Sequence, residues 1–92
     1  MSGSPSYLPT YDEIREMAEL ISRWRDTYDE LVWLMAEAEL KMQSGSQPSH
    51  DEIAKLAEQI ALRRPTPQEL HWFLAERYLY LVKKEQAEAD AH

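Results

Sequence analysis

The side chains able to do chemistry in this chain are three histidines and many carboxylates. A histidine can ligate a metal or haem, or carry a proton near neutral pH. His50 and His71 each fall in the first turn of an apolar-periodic segment, and His92 is the last residue. If the segments fold back as antiparallel pairs, the 1.5 Å rise per residue puts the two starts on the order of 20 Å apart, too far to share a metal. His71, beside Trp72, could serve a haem alone, but a lone histidine in such a place is more often a helix-surface residue. The position 39 residues before it is Val32, so no matched ligand pair exists. Neither a metal nor a cofactor is expected. The carboxylate pairs Asp12-Glu13 and Asp51-Glu52 stand at helix starts, where they suit the positive end of the dipole. No Glu-x-x-His pair of the di-iron kind occurs. The chain has no cysteine, hence no thiolate nucleophile, disulfide or Cys-based zinc site. No nucleophile–base set or glycine-rich phosphate loop can be assembled either, so the expectation is a protein that is not an enzyme. Arg63-Arg64 and Lys83-Lys84 stand near helix ends, where cations suit the dipole.

The elements that position these groups announce their own beginnings. The pattern Ser/Thr-x-x-Glu lets the hydroxyl bond the third helical amide while the carboxylate bonds back to the cap amide. It occurs at Thr10…Glu13, Thr27…Glu30, Ser49…Glu52 and Thr66…Glu69. Pro9, Pro48 and Pro65 precede three of these caps, and Pro67 takes a first-turn position that suits it. The spacing predicts helices at about 11–25, 28–43, 50–63 and 67–88. Short connections at Arg25-Asp26 and Arg64-Pro65 make two helical hairpins, 10–43 and 49–88, joined by a flexible linker at 44–48 that contains Gly45. Residues 1–9 read as a flexible polar leader and 89–92 as a disordered tail around a single domain, 10–88.

Offset by 39 residues, the chain aligns with itself without a gap. Pro9-Thr10-Tyr11-Asp12-Glu13-Ile14 falls on Pro48-Ser49-His50-Asp51-Glu52-Ile53, and Trp33, Ala36-Glu37 and Leu40 fall on Trp72, Ala75-Glu76 and Leu79. A tandem repeat predicts a pseudo-twofold, all-α four-helix bundle. The first helix gathers Ile14, Met17, Ala18, Ile21 and Trp24 on one stripe, and the third gathers Ile53, Leu56, Ala57 and Ile60. The second and fourth are apolar on two sides. One stripe holds Leu31, Leu34, Met35, Ala38 and Met42, or Leu70, Phe73, Leu74 and Leu81. The other holds Trp33, Ala36 and Leu40, or Trp72, Ala75, Leu79 and Val82. A two-sided helix must be covered twice. The first stripes are expected to pack within each hairpin. The second stripes are expected to pack on each other across Ala36 and Ala75, or else to stay open for a partner.

Composition narrows the role. At 43% apolar and 29% charged residues the chain is globular rather than disordered. A formal net charge of −7 argues against nucleic acid, which needs clustered Lys and Arg. The longest apolar run, Tyr78-Leu79-Tyr80-Leu81-Val82, is far short of a membrane span, and Met1-Ser2-Gly3-Ser4 lacks the features of a secretory leader. A soluble protein without a targeting signal is expected, as monomer or homodimer. Tyr78 and Tyr80 flank the Leu81 stripe, and Tyr7, Tyr11, Leu20 and Leu62 fall off the main faces. Together they are enough for an interaction patch.

Four capping boxes, clean stripes, Thr66-Pro67-Gln68-Glu69 at a helix start and an Ala/Glu/Lys-rich tail make the chain resemble a computationally designed helical bundle or mini-binder. The opening Met1-Ser2-Gly3 also resembles an expression leader. Trp33-Leu34-Met35-Ala36-Glu37, echoed by Trp72-Phe73-Leu74-Ala75-Glu76, is similar to a short bacterial helical-hairpin family of unknown function. The designed reading implies a binder or a partnerless scaffold; the bacterial one implies a small acidic regulator or inhibitor, of bacterial or phage origin. A cofactor-binding or small-molecule bundle near His71 is the remaining alternative. The expected function is non-catalytic protein binding by an aromatic and aliphatic helix face made of Tyr78, Val82, Trp72 and Tyr80, with Trp33 and Leu40 if the second stripes are open.

Overall fold

The computed structural model describes residues 8–24 and 26–90, with the backbone alone at Asp90. Most of the expected leader, including Tyr7, lies outside them, as do Arg25 and the last two residues with His92. Four α-helices make up the fold: α1 Tyr11–Ser22, α2 Tyr28–Ser44, α3 His50–Leu62 and α4 Pro67–Asp90. There is no strand among the described residues.

All four starts are closed by the expected capping boxes. The hydroxyls of Thr10, Thr27 and Ser49 each accept from the Glu13, Glu30 and Glu52 amides at 3.2 Å. The three carboxylates accept in return from the cap amides at 2.8, 3.0 and 2.9 Å. Thr66 and Glu69 repeat the exchange at 3.1 and 2.8 Å. Each box satisfies two amides that the first turn would otherwise leave without partners.

The helix ends are less legible in sequence. α1 stops at Ser22, short of the expected 25, because its last turn tightens: Arg23 N–H bonds Leu20 O at 3.1 Å and Trp24 N–H bonds Ile21 O at 3.0 Å. Apolar spacing continues through Trp24 and does not register that tightening. α3 closes likewise, with Arg64 then turning into left-handed backbone at φ 52°. α2 ends on Gly45, whose N–H bonds Lys41 O at 2.8 Å. Its φ is 74° and a Cβ there would meet nothing within 4 Å, so glycine supplies backbone freedom rather than space. α4 runs past 88 to Asp90, with no basic residue in its last turn. Lys83 and Lys84 therefore lie inside the helix rather than at its dipole end, which corrects the role expected of them.

The helices form a row, α1–α4–α2–α3, within an envelope of 43 × 29 × 20 Å. The two-sided helices α2 and α4 are the middle pair and the one-sided helices flank them. They run in the same direction. The Tyr28 hydroxyl donates to Pro65 O at 2.7 Å near both starts, and further along Arg77 Nε donates to Glu39 at 2.7 Å. Among the described residues α1 makes no close approach to α2, nor α3 to α4.

This corrects the expected pairing on two counts. The flanking helices cover the second stripes, not the first: Tyr11 of α1 lies on Trp72, Met17 and Leu20 lie beside Leu79, and His50 of α3 lies on Trp33. The first stripes meet each other instead. Met35 and Phe73 share one groove, Leu81 borders the end of α2, and Met42 adjoins Arg77 and Tyr80. Ala36 and Ala75 are fully buried, so they do permit close approach, but on the faces turned to α3 and α1. The reason lies in the stripes themselves. Apolar burial has no direction, and the α1 and α3 stripes are nearly the same, so sequence cannot say which one covers which helix.

The core holds Ile14, Ile21, Leu31, Met35, Leu70 and Leu74 with Ala36, Ala38 and Ala75 between them, and Ile53 seats α3. Val32, outside both expected stripes, is also buried. Leu70 and Leu74 are wholly enclosed on the central seam, where each contributes roughly 1.5–3 kcal/mol by leaving water.

Candidate functional site

The α1–α4 junction is where charged, aromatic and exposed apolar side chains come together. The box at Thr10 sets the rotation of α1 so that Glu13 points across to α4, where it accepts from Lys83 Nζ at 2.8 Å. The Lys83 ammonium, then the Thr10 amide and hydroxyl, hold the Glu13 carboxyl down at about 2. Tyr11 sits over Trp72 with ring centroids 5.0 Å apart, and at the other end of α1 Trp24 lies 6.1 Å from Tyr78. Between these anchors runs a surface cleft of about 520 Å³. Its apolar lining is Met17, Leu20 and Leu79; its polar lining is Glu13, Glu16 and Glu19, with Arg23 bonded to Glu19 at 3.0 Å.

Leu20, Trp24 and Val82 remain substantially exposed, at 48, 43 and 46%. Leu20 lies in the last turn of α1 and Trp24 in the turn just past its end, and Val82 is one turn on from Tyr78 and Leu79 on α4. Leu20 lines the cleft, Trp24 covers Tyr78 at the end of α1, and Val82 lies one turn beyond Leu79. Trp24, assigned to the α1 core stripe from its spacing, is only edge-packed, because the helix has already ended before it.

The six residues expected to bind a partner are not on one surface. Tyr78 is half-buried against the core and under Trp24; burial, then the Glu37 and Asp26 charges, push its hydroxyl above its ordinary range. Trp72 is half-covered by Tyr11. Trp33 is half-covered by His50 at 4.7 Å on the far flank, and Leu40 is half-buried on the same helix. Tyr80 lines a different groove with Leu8, Pro9, Met42, Glu76 and Arg77. Val82 alone of the six is exposed. The carboxylates at the rim, Glu16 and Glu19, were not singled out in sequence, since a helical Glu on a polar face carries no signal of what lies beside it.

A second polar feature absent from the sequence reading locks the central seam. Arg77, 22% exposed, bonds Glu39 at 2.7 Å and Phe73 O at 3.0 Å, and its guanidinium lies 5.8 Å from the Phe73 ring centroid. It ties α4 to α2. Among the described residues no three His, Asp or Glu side chains gather as a metal set, and no helix is long and apolar enough to cross a membrane.

Fold and site together define a cysteine-free, all-α four-helix protein with an acidic-rimmed apolar strip on one flank. Compared with known families, curated proteins and solved structures, the chain matches none. Its function has to be argued from its own geometry.

Proposed function

We propose that this chain is a non-catalytic helical module that binds another protein through its α1–α4 flank. One observation carries the reading. Under the 39-residue offset, the exposed Tyr11, Leu20, Trp24 and Val82 correspond to His50, Gln59, Arg63 and Gln43, while the exposed Leu62 of α3 is the one reversal, matching Arg23. At four places the second copy of the helical pair thus carries polar side chains where the first carries large apolar ones, against one place, Leu62, where the reverse holds. The second copy acts as an internal control: packing a one-sided helix on a two-sided one does not require apolar residues at those places. Contiguous exposed apolar surface rimmed by polar groups is how a docking face is built. A partnerless scaffold has no use for the difference, whereas a designed binder would carry it by intent.

The test compares capture by three forms of the full chain from an extract: wild type, Leu20→Glu/Val82→Glu, and the mirror control Gln59→Glu/Gln43→Glu. The expected result is a protein retained by wild type and control and lost from the first double variant, with helicity unchanged in all three. Equal capture by all three, or none by any, overturns the reading.

A further inference from the structure

We infer that the groove at the α3–α4 turn is a small-molecule site for a planar aromatic carboxylate of about indole size. It lies away from the α1–α4 flank and does not depend on protein binding there. The groove encloses about 250 Å³; Met35, Ile60, Pro65 and Phe73 supply its apolar walls, and Arg63 and Glu69 its polar rim. Pockets for drug-sized ligands start at roughly 300 Å³, so this one suits one or two fused rings. The 39-residue offset shows what the groove lacks. Ile60 and Met35 match Ile21 and Leu74, which are wholly buried in the first copy, whereas Ile60 is only half-buried. Arg63 stands where that copy has Trp24, whose ring lies on Tyr78 of α4. The first copy thus carries an indole of its own where the second has an open groove beside a guanidinium. Arg63 and Arg64 adjoin at this turn, and neither side chain has a hydrogen bond or ion pair among the described residues. The Glu69 carboxylate, by contrast, is already bonded to the Thr66 amide at 2.8 Å. The group left to meet a ligand is the guanidinium, whose planar fork matches a carboxylate. The end of α3 and the start of α4 meet here, so their opposed dipole ends offset each other.

The probe is indole-3-acetate, set against tryptamine, which keeps the ring and reverses the charge. Each is titrated into the full chain while the methyl signals of Met35 and Ile60 are followed by NMR. Indole-3-acetate is expected to shift both, with a Kd on the order of 1 mM, and tryptamine to bind at least about fivefold more weakly. Arg63→Gln should weaken indole-3-acetate by about fivefold. Arg64→Gln, the same charge change one residue outside the lining, should stay within about a factor of two. Arg63→Trp, which gives the second copy the residue the first one carries, should abolish the shifts; Arg63→Gln keeps the test decisive if that variant does not fold. No shift of either methyl at about 10 mM ligand overturns the inference. So does tryptamine binding as tightly, equal weakening by the two glutamine variants, or unimpaired binding by a folded Arg63→Trp.

Discussion

Glu13 and Lys83, 70 residues apart in sequence, are joined by a 2.8 Å hydrogen bond that fastens the first turn of α1 to the middle of α4. The same carboxylate closes the Thr10 capping box. One side chain therefore serves both the local start of a helix and its placement on a neighbour.

Acid should release that pair of hydrogen bonds in a defined window. The ordinary carboxyl of an unfolded glutamate titrates near 4.3, whereas folded Glu13 is held at about 2. A depressed folded value means that the stabilising contribution is complete above the unfolded value and is lost as pH falls through the folded one. Urea unfolding at pH 5 should separate wild type from Glu13→Gln, and the gap should shrink towards pH 2. Glu30 and Glu52 are lowered by their own cap amides and hydroxyls, so they add to the loss in the same direction. A carbon-detected NMR titration placing Glu13 near 4.3 would contradict the prediction.

The central seam is expected to dominate stability. Leu74 is wholly buried between α4 and α2, and Leu74→Ala should cost about 2–5 kcal/mol. Leu62→Ala, at a residue 76% exposed, should stay within about 0.5 kcal/mol. Both are read from the midpoint of chemical unfolding.

Removing a cap hydroxyl should cost about 1 kcal/mol at each helix start. Ser49→Ala and Thr66→Ala are the cleanest cases, since their boxes bond nothing beyond the helix they open. A lowered midpoint with an unchanged denaturant slope is the expected signature.

Ala75→Leu tests which helix lies on the second stripe. Ala75 is fully buried on the face of α4 that carries Trp72 and Leu79, so the added volume should push on α1 at a cost of about 1–3 kcal/mol. Near-ultraviolet circular dichroism should then show loss of the Tyr11–Trp72 contact, while the Arg77–Glu39 bond on the opposite face survives. If the aromatic signal is intact and the seam loosens instead, the assignment of stripes is wrong.

Reading from sequence to structure, the local features were the legible ones. Four Ser/Thr-x-x-Glu boxes located every helix start, because a cap is a bond between residues three apart and needs nothing else. Periodicity marked most core residues, but placed Trp24 inside when the last turn of α1 had already tightened before it, and passed over Val32. Of the binding residues read from sequence, Val82 alone belongs to the exposed strip. Leu20 and Trp24 come from α1, a helix that hairpin logic would have set against α2, and from the turn that ends it.

By itself, then, the sequence determined where helices begin, which are one-sided and which two-sided, and that every apolar face had to be covered. Only the tertiary structure decided that α1 covers α4, that α3 covers α2, and that Glu13 meets Lys83. The stripes Ile14-Met17-Ala18-Ile21 and Ile53-Leu56-Ala57-Ile60 are interchangeable as hydrophobic surfaces, and burial of apolar area does not depend on which partner provides it. The choice falls to what is specific at longer range: the seam of Leu70 and Leu74 latched by Arg77 and Glu39, and the path the connections leave open to each flanking helix.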